Sequence, residues 1–392
     1  MTPRGKLQCQ QVPLQTPARS WLPFTEPWAA QLQQHFNQFA WLHPFDPSRQ
    51  EQQCAYTLPS FDCPAFFFDD GIQREQRDAS HLRPQDIKLV IALGDSITAG
   101  FGMTSGRPPF ASVLEYRGKA FSVGGDDNEY TLHNFLDVYS ETLGSPEGVT
   151  LPLSKGKALN NAVSGSKAQD LDSQVSRLVH QLQRPPYDTV RQAWKLVTLF
   201  IGANNVCVLC TPPLTRLPDL ADVDVFEHHV RQAVERLRRD VGYAFVNLPA
   251  LFNVSQVYEA SRGNPYCELV MDPNHMVICS CIQADKQQRR AADLVVQGYN
   301  SRLKKIAQDY QELGDPTFMV VYQPAFTQFP VGKYKQRYLS GFDCFHPNRC
   351  ANQVMATVLW NNMFSNTTEK QASYHVNNLS FVCPSAKRAY LQ

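Results

Sequence analysis

Apolar residues along the chain fall into two kinds of pattern. The first is the short unbroken run: Ile87-Lys88-Leu89-Val90-Ile91-Ala92-Leu93, Leu159 to Val163, Leu196 to Ile201, Gly242 to Leu248, and Phe318 to Tyr322. Runs of this length, rich in β-branched residues, predict strands buried on both faces, as in a parallel sheet. The second pattern has helical spacing. Leu171, Val175, Leu178 and Leu182 mark a helix over Ala168–Gln183, stopped by Pro185-Pro186. Further helices are predicted at Leu132–Tyr139, Val223–Arg239, Asp285–Leu313 and Ala351–Phe364. In the long one, Leu294, Tyr299, Leu303, Ile306 and Tyr310 lie near one face, a stripe expected to pack on the core. Strands alternating with helices give an α/β fold: a three-layer α/β/α sandwich, flavodoxin-like, with a five-stranded, mainly parallel sheet.

The pattern divides the chain. Residues 1–85 are rich in Pro, Gln and aromatics and read as an N-terminal wrap, with a short amphipathic helix at Trp28–Phe39 and with Cys54 and Cys63 as staples. Residues 86–365 carry the alternating elements, and 366–392 form a C-terminal extension. The irregular stretch 104–158 is suited to building a substrate wall, because loops at strand ends carry specificity.

Charge and cysteine content narrow the setting. The 37 Lys+Arg balance 36 Asp+Glu and form no basic stripe, which argues against a nucleic-acid partner. No apolar run approaches the length of a transmembrane helix. Eleven cysteines, with three glycosylation sequons at Asn253, Asn366 and Asn378, favour an oxidising setting: extracellular, in the secretory lumen, or at the outer membrane surface as part of a larger chain. Cys207-x-x-Cys210 and Cys279-x-Cys281 could ligate zinc, but the irregular second spacing and the sequons favour disulfides over a metal site. No signal peptide is visible after Met1, which is reconciled with that compartment if the chain is one unit of a larger protein or lacks its true amino terminus. An odd count leaves at least one cysteine free or paired outside the chain.

Candidate chemistry gathers at strand ends. The first run stops at Gly94-Asp95-Ser96, the second at Ser164-Gly165-Ser166, the third at Gly202-Ala203-Asn204. A parallel sheet brings such ends to one edge, where open α/β sheets bind ligands. A serine there can be a nucleophile if a base reaches it. One late loop carries Asp343 and His346, three residues apart, so that a carboxylate can fix the imidazole tautomer while the other ring nitrogen takes a serine proton. Threonine at position 98 rules out the Gly-x-Ser-x-Gly elbow of the α/β-hydrolases. Ser154-x-x-Lys157 lacks the companion motifs of a Ser-Lys enzyme and reads as an exposed loop.

Four blocks in order then resemble the GDSL-type, or SGNH, hydrolases, and within them the phospholipase B-like group. They are Ser80–Lys88 running into Gly94-Asp95-Ser96-Ile97-Thr98-Ala99-Gly100, Asn161–Ser166, Gly202–Asn205 with Cys207–Cys210, and Asp343-Cys344-Phe345-His346-Pro347. The resemblance covers roughly residues 80–365. It implies Ser96 as nucleophile, His346 as general base then acid, and Asp343 as its orienting partner. It further implies an oxyanion hole from the backbone N–H groups of Ser96 and Gly165 and the side-chain amide of Asn204. Asn205 departs from the aspartate that many relatives carry there.

The resemblance implies deacylation of glycerophospholipids and lysophospholipids at a lipid interface, with no metal or organic cofactor. Two other readings are weighed beside it: a lipase or carboxylesterase acting on neutral or acetyl esters, and a catalytically silent lipid-binding module.

Overall fold

The computed structural model describes residues 54, 58–65, 69–73, 76–104, 113–152, 158–210, 220–272, 279–283, 285–328, 335–370 and 374–392. The helix expected at 28–39 and the Ser154–Lys157 loop fall largely or wholly outside them. Four strands form one sheet in the order β1 (Ile87–Gly94), β2 (Trp194–Phe200), β3 (Ala244–Pro249) and β4 (Phe318–Gln323), every neighbouring pair parallel. β2 and β3 are buried at every residue and β1 at all but Lys88. Helices cover both faces of this sheet, which is what lets its strands be apolar throughout.

The fifth expected strand, 159–163, is not a full strand. It runs parallel beside β1, accepting from Ala92 N through the Leu159 carbonyl and donating from Asn161 N to Ala92 O and from Val163 N to Gly94 O. Regular pairing ends there because the segment turns away within five residues, at Ser164-Gly165. Its sequence is too short and polar, with two asparagines, to hold a longer ladder.

The helices, numbered along the chain, are α1 (Ser96–Ala99), α2 (Leu132–Asp137), α3 (Leu171–Leu182), α4 (Ala203–Cys207), α5 (Val223–Arg236), α6 (Val254–Ser261), α7 (Pro265–Val270), α8 (Ser280–Gln283), α9 (Lys286–Leu313) and α10 (Arg349–Met363). One sheet face takes α3, α5 and α9. Phe226 of α5 and Tyr299 of α9 stack there with centroids 3.9 Å apart. On the other face Trp360 of α10 packs against Phe135, Tyr139, Phe61 and Phe364. Of the expected stripe on the long helix, Tyr299, Leu303 and Ile306 are buried, whereas Leu294 is 67% exposed and lies off the packed face.

The described residues belong to one compact unit. Its ends are tied to the sandwich by Cys54–Cys350 and Cys63–Cys383, as expected of two staples. A buried ion cluster adds to this: Arg77 pairs with Asp70 and Asp86, and Tyr390 donates to Asp70. The paired arginine holds the Asp70 carboxyl well below the usual carboxylate range.

Candidate active site

β1 delivers the first residue. Its last position, Gly94, lies so close to the neighbouring strand that a Cβ would sit 2.3 Å from the Phe200 carbonyl oxygen, so no side chain is accommodated. Gln174 of α3 clamps the same residue from below, accepting from Gly94 N (2.9 Å) and donating to Gly94 O (2.8 Å). Asp95 then caps α1, its Oδ1 accepting from Ile97 N at 3.0 Å. Its Oδ2 is buried without a partner among the described residues, and burial pushes the carboxyl up to about 6. Ser96 begins the helix, 7% exposed.

Residues 340–348 deliver the histidine. Asp343 Oδ1 accepts from the backbone N–H groups of Phe345 (2.9 Å) and His346 (3.0 Å), folding the loop around its own carboxylate. The His346 Nδ1–H donates to Asp343 Oδ2 at 2.5 Å, and Ser96 Oγ donates to His346 Nε2 at 2.7 Å. The carboxylate fixes the tautomer that leaves Nε2 free to accept. The loop is pinned from three directions. Ser340 Oγ donates to Gly102 O, Tyr266 OH donates to Phe342 O, and Cys344 is bonded to Cys267 of α7. The Phe101 ring lies 4.8 Å from the imidazole, an apolar wall beside it.

The two other strand-end turns carry Gly165 and Asn204. Gly165 adopts φ +83°, in the left-handed region, and is exposed with open space on its Cβ side. Neither its N–H nor that of Ser96 has an acceptor among the described residues. Asn204 Nδ2 donates one proton to Ser166 O at 2.9 Å, linking α4 to the Gly165 turn and leaving its second proton available. Asn205 is fully buried, its Oδ1 accepting from Ala168 N (2.9 Å) and its Nδ2 donating to Gln169 Oε1 (2.9 Å) and Leu220 O (2.6 Å). Every polar atom of the amide is used, and the two donor bonds are ones an aspartate could not make.

The two cysteine pairs near α4 are disulfides, Cys207–Cys279 and Cys210–Cys281, and not a zinc site. They bolt the helix that carries Asn204 to α8. Among the described residues no group of three or more His, Cys, Asp or Glu side chains could hold a metal ion. No helix among them is long and apolar enough to cross a membrane. Of the sequon asparagines, Asn366 and Asn378 are exposed, while Asn253 is half-buried at the start of α6. Cys9 lies outside the described residues.

Sequence reasoning missed Gln174, Glu115 and Arg117, all buried: Gln174 and Arg117 bond to backbone at the site and Glu115 to the Ser164 hydroxyl. Gln174 falls on the buried face of α3, so a polar residue within an apolar stripe was its one visible signal.

A strand-end serine bonded to a histidine, which is bonded to a carboxylate, is the constellation of acyl transfer through a serine. On this sheet, without a nucleophile elbow, it makes the protein a carboxylic ester hydrolase by class. The chain belongs to the GDSL-like lipase/acylhydrolase family, whose model matches residues 90–359. It is similar to human membrane-associated phospholipase B1, 32% identical over 324 residues, and to the same protein of Rattus norvegicus, 28% identical over 323. Each match covers 79% of this chain but 21% of the relative, so the chain spans about a fifth of the length of these curated relatives. Among solved structures, an acetylxylan esterase from Geobacillus stearothermophilus is a remote likeness, at a TM-score of 0.36 and 16% identity, covering 69% of this chain and 90% of that one.

Proposed function

We propose that the chain deacylates glycerophospholipids and lysophospholipids through an acyl-enzyme on Ser96. The observation that carries this reading is the continuous hydrogen-bond chain from Ser96 Oγ through His346 to Asp343. His346 Nε2 takes the Ser96 proton as Oγ attacks the ester carbonyl. The carbonyl π pair moves onto oxygen, where the Ser96 and Gly165 N–H groups and the Asn204 amide stabilise the charge. Such a donor is worth roughly 2.7–4 kcal/mol in a hydrolase. As the oxyanion collapses, the bond to the alkoxy oxygen breaks and His346 gives its proton to the departing lysolipid or glycerophosphodiester. Water, deprotonated by the same imidazole, then releases the fatty acid.

The substrate class is supported by the name of the relatives, phospholipase B1. Five disulfides support an extracellular or lumenal setting, in which Asn366 and Asn378 are accessible to glycosylation. The test is product analysis on mixed-chain phosphatidylcholine vesicles with wild type and Ser96→Ala. Fatty acid and lysolipid are expected from wild type alone. Equal release by both proteins removes Ser96 from the chemistry. Turnover confined to triglycerides or acetyl esters removes the phospholipid assignment.

A further inference from the structure

Two buried charged residues lie beneath the Gly165 turn. Glu115 is fully buried and Arg117 1% exposed. Arg117 Nη2 and Nε both donate to Glu115 Oε2, at 2.6 and 2.9 Å. Thr150 Oγ1 bridges the pair, accepting from Arg117 Nε at 3.1 Å and donating to Glu115 Oε2 at 3.4 Å, and three further bonds reach one short segment. Arg117 Nη1 donates to Asn160 O and Nη2 to Ala162 O, each at 2.9 Å, while Glu115 Oε1 accepts from Ser164 Oγ at 2.6 Å. All three partners precede Gly165 in a stretch that belongs to no strand or helix. The same stretch is tied to the nucleophile helix, for Asn160 Nδ2 donates to Thr98 O at 2.9 Å. The backbone around Glu115 is anchored there too, pairing with Phe101, while Tyr116 N donates to Gly100 O.

We infer that Glu115 and Arg117 are positioning residues that hold the oxyanion turn: they fix the Gly165 N–H relative to Ser96. The inference rests on the ester-hydrolase reading of Ser96. A buried ion pair is a poor way to gain stability, since desolvation offsets most of its attraction. What it supplies here is direction. A guanidinium fork holds two alternate carbonyls of one segment, and the carboxylate holds the hydroxyl next to the φ +83° glycine. A backbone donor contributes to catalysis only if it is aimed before charge develops. A displacement near 1 Å can cost about 100-fold.

The test uses Ser164→Ala, which removes only the hydroxyl–carboxylate bond, and Glu115→Gln, whose amide has one acceptor oxygen where the carboxylate has two. Rates on a short-chain nitrophenyl ester are normalised to Ser96 labelled by a fluorophosphonate. A trifluoromethyl ketone, which forms a tetrahedral adduct on the serine, reports the oxyanion site. Each variant is expected to lose about 10-fold or more in kcat with KM nearly unchanged, and to lose ketone affinity by the same factor. Ser164→Ala is expected to unfold at the wild-type temperature, which separates positioning from loss of fold even if Glu115→Gln fails to fold. Wild-type kcat per labelled serine in Ser164→Ala overturns the inference, as does a loss of kcat without loss of ketone affinity. If Ser96→Ala instead hydrolyses the ester at the wild-type rate, the parent reading fails, and the result is distinct from either of these.

Discussion

Asn205 stands where many members of the family carry aspartate, so Asn205→Asp is a change toward the family pattern that this structure predicts to be harmful. The Ala168 N–H fixes the amide, because only the oxygen can accept it. The nitrogen therefore faces Gln169 Oε1 and Leu220 O, with no exposure to solvent. In the aspartate variant Gln169 can turn its own amide and donate. The Leu220 carbonyl, 2.6 Å away, can only accept. The variant must bury a carboxylate against a carbonyl oxygen or take up a proton that lets it donate there. Protonation caps the cost. Relative to an unfolded aspartate near 3.9, holding the proton costs up to about 5 kcal/mol at a pH near 7.5 and about 1.5 kcal/mol near pH 5. Urea unfolding with disulfides intact, followed by tryptophan fluorescence at both pH values, should show Asn205→Asp less stable than wild type. The gap should be wider by about 2–3 kcal/mol at the higher pH, a midpoint difference on the order of 1 M. A gap that is absent, or the same at both pH values, would refute the hydrogen-bond assignment.

Two further outcomes follow from the same neighbourhood. Asp95 has a carboxyl pushed up from 3.8 to about 6 by burial. A raised carboxyl favours the folded chain below its unfolded pKa, and that advantage is lost as pH rises through about 6. Asp95→Asn should therefore gain on wild type by up to about 3 kcal/mol between roughly pH 4 and pH 7; parallel urea midpoints across that range would contradict it. Replacing both Cys267 and Cys344 by serine should cost about 2–5 kcal/mol and lower kcat, because Cys344 lies between Asp343 and His346. The same change at Cys63 and Cys383 should lower stability alone, and equal kcat in the two double variants would show that the Cys267 bridge does not hold the histidine loop.

The elements that sequence disclosed are those where one local rule dominates. β1 to β4 were legible because strands buried on both faces leave unbroken apolar runs, and α3, α5, α9 and α10 because each keeps a periodic face. The segment 159–163 carried the same signal too briefly to build a ladder. The helices α6, α7 and α8 were missed: they are short, and disulfides and caps support them more than periodicity does, as at Asn264, which accepts from Tyr266 N and Cys267 N. At the site, Ser96, Asp343 and His346 were visible as motifs, and the folded chain joins them by hydrogen bonds. Glu115 and Arg117 were not visible. Two charged residues in an irregular loop look solvated until folding places Asn160, Ala162 and Ser164 over them.

The disulfides also set an order of assembly. Cys207–Cys279, Cys210–Cys281 and Cys267–Cys344 each join residues about 70 to 80 apart, whereas Cys54–Cys350 and Cys63–Cys383 span 296 and 320 residues. During synthesis at roughly 5–20 residues per second, the thiols at 54 and 63 must wait tens of seconds for partners that have not yet been made. Throughout that interval Cys207, Cys210, Cys267, Cys279 and Cys281 emerge as competing partners. The bridges that close the site can form while the ends are still open, so correct maturation depends on keeping the two early thiols unpaired until residues 350 and 383 have been made.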